Sequence, residues 1–129
     1  MSKVIKMIEI RKITDEQIAQ KICAAHNIDW DPAYHVIATI EQEEILHCAI
    51  FEYNGEIGEI HAISGFDGDI SMLDGLCRAI LNIMDINGVK YVCLPLKYDK
   101  LAQKIGFKAQ NDHYHLVLDG FFKCSCHQI

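Results

Sequence analysis

A chain of 129 residues, half of them hydrophobic and 23% charged, suits one domain built around one core. Its net charge of −6 argues against nucleic acid as the main partner, because that binding needs a cationic surface. No apolar run approaches the ~20 residues that span a bilayer, so no membrane association is expected.

The first residues, MSKVIKMIEIRK, hold no long apolar segment and no small-residue cleavage site, so no signal peptide is expected. Cys23, Cys48, Cys77 and Cys93 lie inside apolar runs, where each reads as a small buried hydrophobe. That usage fits free thiols in a reducing cytoplasm better than a disulfide framework.

In chain order, residues 1–6 read as a flexible end, and MIEIR (7–11) alternates as a first strand. Thr14 is placed to cap a helix whose first turn holds Asp15 and Glu16. Ile18, Ile22, Cys23 and Ala25 form its apolar face, and Asn27 suits its end. Residues 27–34 read as a loop, since Pro32 disfavours helix at Asp31. Strands follow over 35–40, 45–53 and 56–64, joined by a polar loop at 41–44 and by Asn54-Gly55. That pair predicts a type I′ turn, so the three strands form an antiparallel meander.

A helix is predicted from about residues 69–71, with Ser71 and Asp74 in the form of a capping box. Leu73, Leu76, Cys77, Ile80, Leu81 and Met84 make a stripe wide enough to face a sheet. Asn87-Gly88 stops the helix, and 89–96 reads as a short strand parallel to the one before it. Asp99 is placed to cap a short helix over 100–105 that Gly106 ends. Residues 107–119 then make a last hairpin about Asn111-Asp112. The tail, 120–129, has no period, and 123–129 reads as a flexible end.

This order, with the Lys104-Ile105-Gly106-Phe107 ending before a hairpin, resembles the GNAT superfamily of N-acetyltransferases over about residues 5–120. The resemblance implies a single α+β domain over 1–129. Its three layers would hold a mixed, mostly antiparallel sheet of about seven strands flanked by helices. It also implies acetyl- or acyl-coenzyme A as one substrate and an amine, on a small molecule or peptide, as the other. Pantetheine would run along the fourth strand beside Ile60, Ala62, Ile63 and Ser64, with an amide near Ile63 polarising the thioester carbonyl. The pyrophosphate would meet amides from Gly65 through Gly68, Asp69 and Ile70 to Ser71, where bare N–H groups and the helix dipole favour an anion.

Two places depart from the family pattern. The phosphate loop, Q/R-x-x-G-x-G/A in the family, is Gly65-Phe66-Asp67-Gly68-Asp69-Ile70 here, and only Gly68 fits. The family's general-acid tyrosine, four residues before the glycine of Gly-Phe, is Ala102; Tyr98, one turn earlier, is the candidate substitute.

Other residues carry expectations of their own. Glu59 and His61, two apart on the central strand, share a face on which either is placed to serve as base for the amine. A solvated strand face is the alternative. His113 and His115 share a face of the last strand in the same way, and Trp30 and Tyr34 are placed to line an acceptor pocket or to pack over the first helix. Cys124-Ser125-Cys126-His127 groups soft ligands but lacks a fourth, so no metal is expected to be required. Phe121-Phe122 reads as an anchor onto the domain or onto a second subunit of a homodimer.

Three functions remain open on these residues: a cytoplasmic N-acyltransferase, a GNAT-like binding or dimerisation module that no longer acetylates, and a metal- or redox-responsive protein acting through the tail.

Overall fold

The computed structural model describes residues 8–64 and 70–122. The chain runs β1 (Ile8–Lys12), α1 (Glu16–Ala25), β2 (His35–Glu41), β3 (Glu44–Asn54), β4 (Ile57–Ile63), α2 (Ile70–Ile86) and β5 (Tyr91–Pro95). A 3₁₀ turn (Leu96–Tyr98), α3 (Asp99–Ile105), β6 (Lys108–Gln110) and β7 (His113–Val117) complete it. These seven strands form one sheet in the order β1-β2-β3-β4-β5-β7-β6. Among the described residues only β4 and β5 pair in parallel, as expected for strands joined through a helix.

The meander β2-β3-β4 is antiparallel, as expected, but its turns are not those expected. Asn54 ends β3, and the turn centres on Gly55 and Glu56 with only Gly55 left-handed (φ 64°). The turn with two left-handed residues is the other one, at Gln42 (φ 50°) and Glu43 (φ 64°). Pairing of Glu41 with Glu44 leaves just two residues to reverse the chain, and that length selects a primed turn even without glycine.

Both faces of the sheet are covered. On one, Ala19 and Cys23 of α1 pack on Val36, Ile50 and Ala62. On the other, the expected stripe of α2 is buried against Ile37, Phe51, Ile60 and Ile63 of the sheet and Leu101, Ala102 and Ile105 of α3. Each large apolar side chain so buried contributes roughly 1.5–3 kcal/mol. Phe121 and Phe122 pack against this second core, so here they anchor the chain onto its own domain.

The α2 start at Ile70 is the expected one, but the caps of α1 and α3 differ from expectation. Asp15, not Thr14, caps α1, its carboxylate accepting from Gln17 N (2.9 Å) and Ile18 N (3.3 Å). Ser71 is the second residue of α2, and Asp74 is held by Arg78 at 3.1 Å one turn on. Asp99 is the first helical residue of α3 rather than its cap; Tyr98 takes that place. The helix ends follow the sequence: Asn27 (φ 58°) after α1, Gly88 (φ 86°) after α2 and Gly106 (φ 113°) after α3 are left-handed.

Cys23, Cys48, Cys77 and Cys93 are free. Burial pushes the Cys77 thiol up to about 12, which makes it inert at neutral pH. Cys93, expected to be buried, is only half-buried, because β5 shows that residue to a cavity.

Candidate functional site

The parallel pair β4·β5 is short. Ile57, Gly58 and Glu59 match Tyr91, Val92 and Cys93, and the ladder stops there. At its base, Lys90 N and Tyr91 N both donate to Glu56 O (2.8 and 3.0 Å). From Ile60 onward β4 pairs only with β3. Two local features favour the divergence. Pro95 ends β5 and has no N–H to offer a ladder. On β4 the register against β3 slips between Ile50–Ala62 and Phe51–Ile60, which makes His61 the extra residue of a β-bulge. A bulge sharpens the twist of its strand.

The bulge also sets which side chains meet. Ala62 packs with α1 and Ile63 with α2, while His61 joins Glu59 on the α1 face. There His61 Nδ1 lies 3.2 Å from Glu59 and Nε2 lies 2.8 Å from Glu52 of β3. Tyr34 packs beside it, ring centroids 4.8 Å apart. Burial first, then the charges of Glu52, Asp31 and Glu59, push the Tyr34 phenol upward. The shared face of Glu59 and His61 is therefore present, and Glu52 is its third member. Sequence reasoning missed Glu52. Its signal was the hairpin register, since pairing of Asn54 with Ile57 sets Glu52 opposite Glu59.

An imidazole with both nitrogens facing carboxylates donates through both only when protonated. That arrangement makes His61 a bridge between two carboxylates. Glu59, with its side chain 55% exposed, is the group left open to the cavity.

On the opposite side of the gap, Tyr98 lies in the 3₁₀ turn, buried rather than presented on α3. Its hydroxyl accepts the Ile63 N–H at 2.9 Å. The amide expected to be bare for a thioester carbonyl is thus engaged, and the phenolic proton is left to donate elsewhere. Ala102, in the place of the family's tyrosine, is fully buried.

Two cavities lie here, one in the divergence itself and one beyond Tyr98. One, of about 360 Å³, lies between the start of α2 and the 3₁₀–α3 corner, lined by Ile70, Leu73, Lys97, Tyr98, Asp99, Lys100 and Leu101. Its apolar wall suits a pantetheine-like arm, and its two lysines suit phosphate while Asp99 opposes it. The other, of about 450 Å³, is lined by Glu59, Ile60, His61, Cys93, Leu94, Pro95, Asp112 and His113.

Ser64 ties β4 to β3: its hydroxyl accepts from Cys48 N at 2.7 Å and its own N–H donates to Cys48 O at 2.8 Å. Ile70 lines the first cavity and Ser71 follows it at the helix start. Gly65, Gly68 and Asp69 lie outside the described residues, as do Cys124, Cys126 and His127.

His113 and His115 share a face of β7, as expected, and that face brings them to Cys93 of β5. Trp30 and Tyr34 both pack in the α1 core, with Tyr34 also at the edge of the carboxylate set.

No protein-family model matches the sequence, and no curated protein matches it. The structure, in contrast, is similar to many solved ones. YhhK of Escherichia coli, an assigned N-acetyltransferase solved bound to coenzyme A, is 15% identical with a TM-score of 0.66, covering 86% of this chain and 98% of that one. An N-acetyltransferase of Staphylococcus aureus Mu50 is 16% identical with a TM-score of 0.64, covering 88% of this chain and 99% of that one. The ribosomal-protein-S18-alanine N-acetyltransferase of Escherichia coli is 14% identical with a TM-score of 0.60, covering 86% and 90%. TM-scores of this order show a shared fold, though not more at such identities: the chain has the GNAT fold, a seven-stranded mixed sheet between helical layers.

Proposed function

We propose that this protein is an N-acyltransferase that moves an acyl group from acyl-coenzyme A to a cationic amine. The observation that carries it is the divergence of β4 from β5 beyond Glu59 and Cys93, with one cavity in the gap and another beyond Tyr98. The apolar and lysine-lined cavity takes the coenzyme arm. The acidic cavity, with Glu59 and Asp112 on its wall and Glu52 behind His61, takes the amine.

The thioester supplies an activated acyl carbon; the chain supplies position and protons. Glu59 takes a proton from the ammonium, directly or through a water, so that nitrogen gains a free pair. His61 holds Glu59 in place and is itself held by Glu52. As the C–N bond forms and the C–S bond breaks, Tyr98 gives its phenolic proton to the leaving thiolate. Tyr98 is restored by the second proton that nitrogen sheds.

A non-acetylating module on the same fold is the rival, and the Ile63 amide already bonded to Tyr98 favours it. Thermal unfolding with coenzyme A separates the two. Ligand at about 100 times Kd adds roughly 2.7 kcal/mol, a clear upward shift in Tm. Release of free thiol from acetyl-coenzyme A in the presence of small diamines or short peptides should accompany it. No shift at millimolar coenzyme A would overturn the proposal, and a shift without thiol release would leave the module.

A further inference from the structure

We propose that Cys93, His113 and His115 form a binding site for a Zn2+-like transition metal beside the acidic cavity, which Cys93 and His113 line. One donor atom from each lies within 4.8 Å of the other two. The fold brings them together without any loop. Cys93 and His115 are direct cross-strand partners between β5 and β7, and His113, two residues from His115, emerges on the same face opposite Pro95.

The donors are one sulfur and two imidazoles, a set that suits Zn2+, Co2+ or Cu+ and not the oxygen-seeking Mg2+ or Ca2+. Tetrahedral Zn–N and Zn–S bonds of about 2.0–2.3 Å place donors roughly 3.4–3.6 Å apart. Closing from the observed spacing therefore needs side-chain rotation and little more.

The surroundings are also those of a metal site. Asp112 Oδ1 lies 2.8 Å from His113 Nδ1, which fixes that ring and leaves Nε2 to face a metal. The His115 ring stacks on Tyr91 at 5.8 Å. Glu59 and Asp112 line the same cavity as Cys93, and their carboxylates favour a cation there. Three protein ligands leave a fourth position, and two of them, Cys93 and His113, line the cavity shared with Glu59. The proposal stands on these donors alone and does not depend on acyl transfer.

Cobalt reports it. The full chain with Cys124→Ser and Cys126→Ser, stripped of metal, is titrated with Co2+. The expected result is one equivalent bound, with intense tetrahedral visible bands and a near-ultraviolet thiolate-to-cobalt band, all removed by one equivalent of Zn2+. Cys93→Ser should abolish the thiolate band, and His113→Ala or His115→Ala should weaken binding at least tenfold. Asp112→Asn should weaken it about tenfold, as loss of an outer-shell partner does. The Asp112 side chain is 90% exposed, so this variant leaves the fold intact. The proposal is overturned if no cobalt is retained, if the thiolate band survives Cys93→Ser, or if metal binds only when Cys124 and Cys126 are present.

Discussion

The Tyr98 hydroxyl accepts the Ile63 backbone N–H at 2.9 Å, across the mouth of the gap between β4 and β5. The bond ties the corner before α3 to the strand that lost its partner. Tyr98→Phe leaves a buried donor unpaired, so it should cost about 1–3 kcal/mol, measured by urea unfolding. In the proposed chemistry it also removes the proton donor, so kcat should fall about 10²–10⁴-fold. If stability falls and kcat does not, Tyr98 is a strut and the leaving thiolate is protonated by solvent.

Glu52 and Glu59 are cross-strand partners, two like charges placed directly opposite, with the His61 ring bridging them. Opposed like charges destabilise a sheet by up to roughly 1 kcal/mol, and less where solvent screens them. His61→Ala should therefore lower Tm, and adding Glu52→Gln should restore part of the loss. Activity should follow a different order. Glu59→Gln removes the proposed base and should lower kcat about 10²–10⁴-fold with little change in Tm. Glu52→Gln acts only through His61 and should cost less. A cycle of single and double variants, measured for both Tm and kcat, checks the two orders together.

The layers of this fold were legible because period and punctuation agree in the sequence. Leu73, Leu76, Cys77, Ile80, Leu81 and Met84 are the residues α2 buries, and Asn27, Gly88 and Gly106 follow the helices they end. What stayed hidden depends on register between strands. Slippage by one residue at His61 decides that His61 and Ala62 both serve the α1 face, and no local pattern announces a bulge. Glu52 and Cys93 reach their clusters only through pairing with Glu59 and His115. The Tyr98–Ile63 bond joins residues 35 apart, and helical spacing from Ala102 named Tyr98 without showing that it lies in the turn before α3.

Gly58 sits where β4 passes beneath the end of α2. A Cβ there would meet Met84 Sδ at 2.6 Å, Met84 Cε at 2.8 Å and Val89 Cγ1 at 3.3 Å. Met84 is wholly buried, so the end of its side chain has little space in which to retreat. Gly58→Val should destabilise by about 1–3 kcal/mol, the usual cost of overpacking. Gly58→Ala should cost less, and Met84→Ala should recover part of the Gly58→Val loss at this contact. Urea midpoints of the three variants and the double variant check this. Simple additivity of the two losses would mean that the side chains do not collide.

His35 lies between aromatic rings, its centroid 5.3 Å from Phe51 and 5.0 Å from Tyr53. Burial, aided by the charge of Lys12, holds its imidazole below the ordinary range. The unfolded chain, with an ordinary imidazole, therefore binds this proton more readily than the folded one. Stability from this group is present above the unfolded value and is lost as pH falls through the folded one. Tm should be compared for the native sequence and His35→Gln at about pH 8 and about pH 5, either side of the imidazole range. At the higher pH the variant should melt lower, having lost the ring contacts. Toward pH 5 the gap should narrow, because only the native sequence then has to keep a reluctant imidazole neutral or charge it between two rings. A gap that widens on acidification would mean that the charged ring is the one the fold prefers.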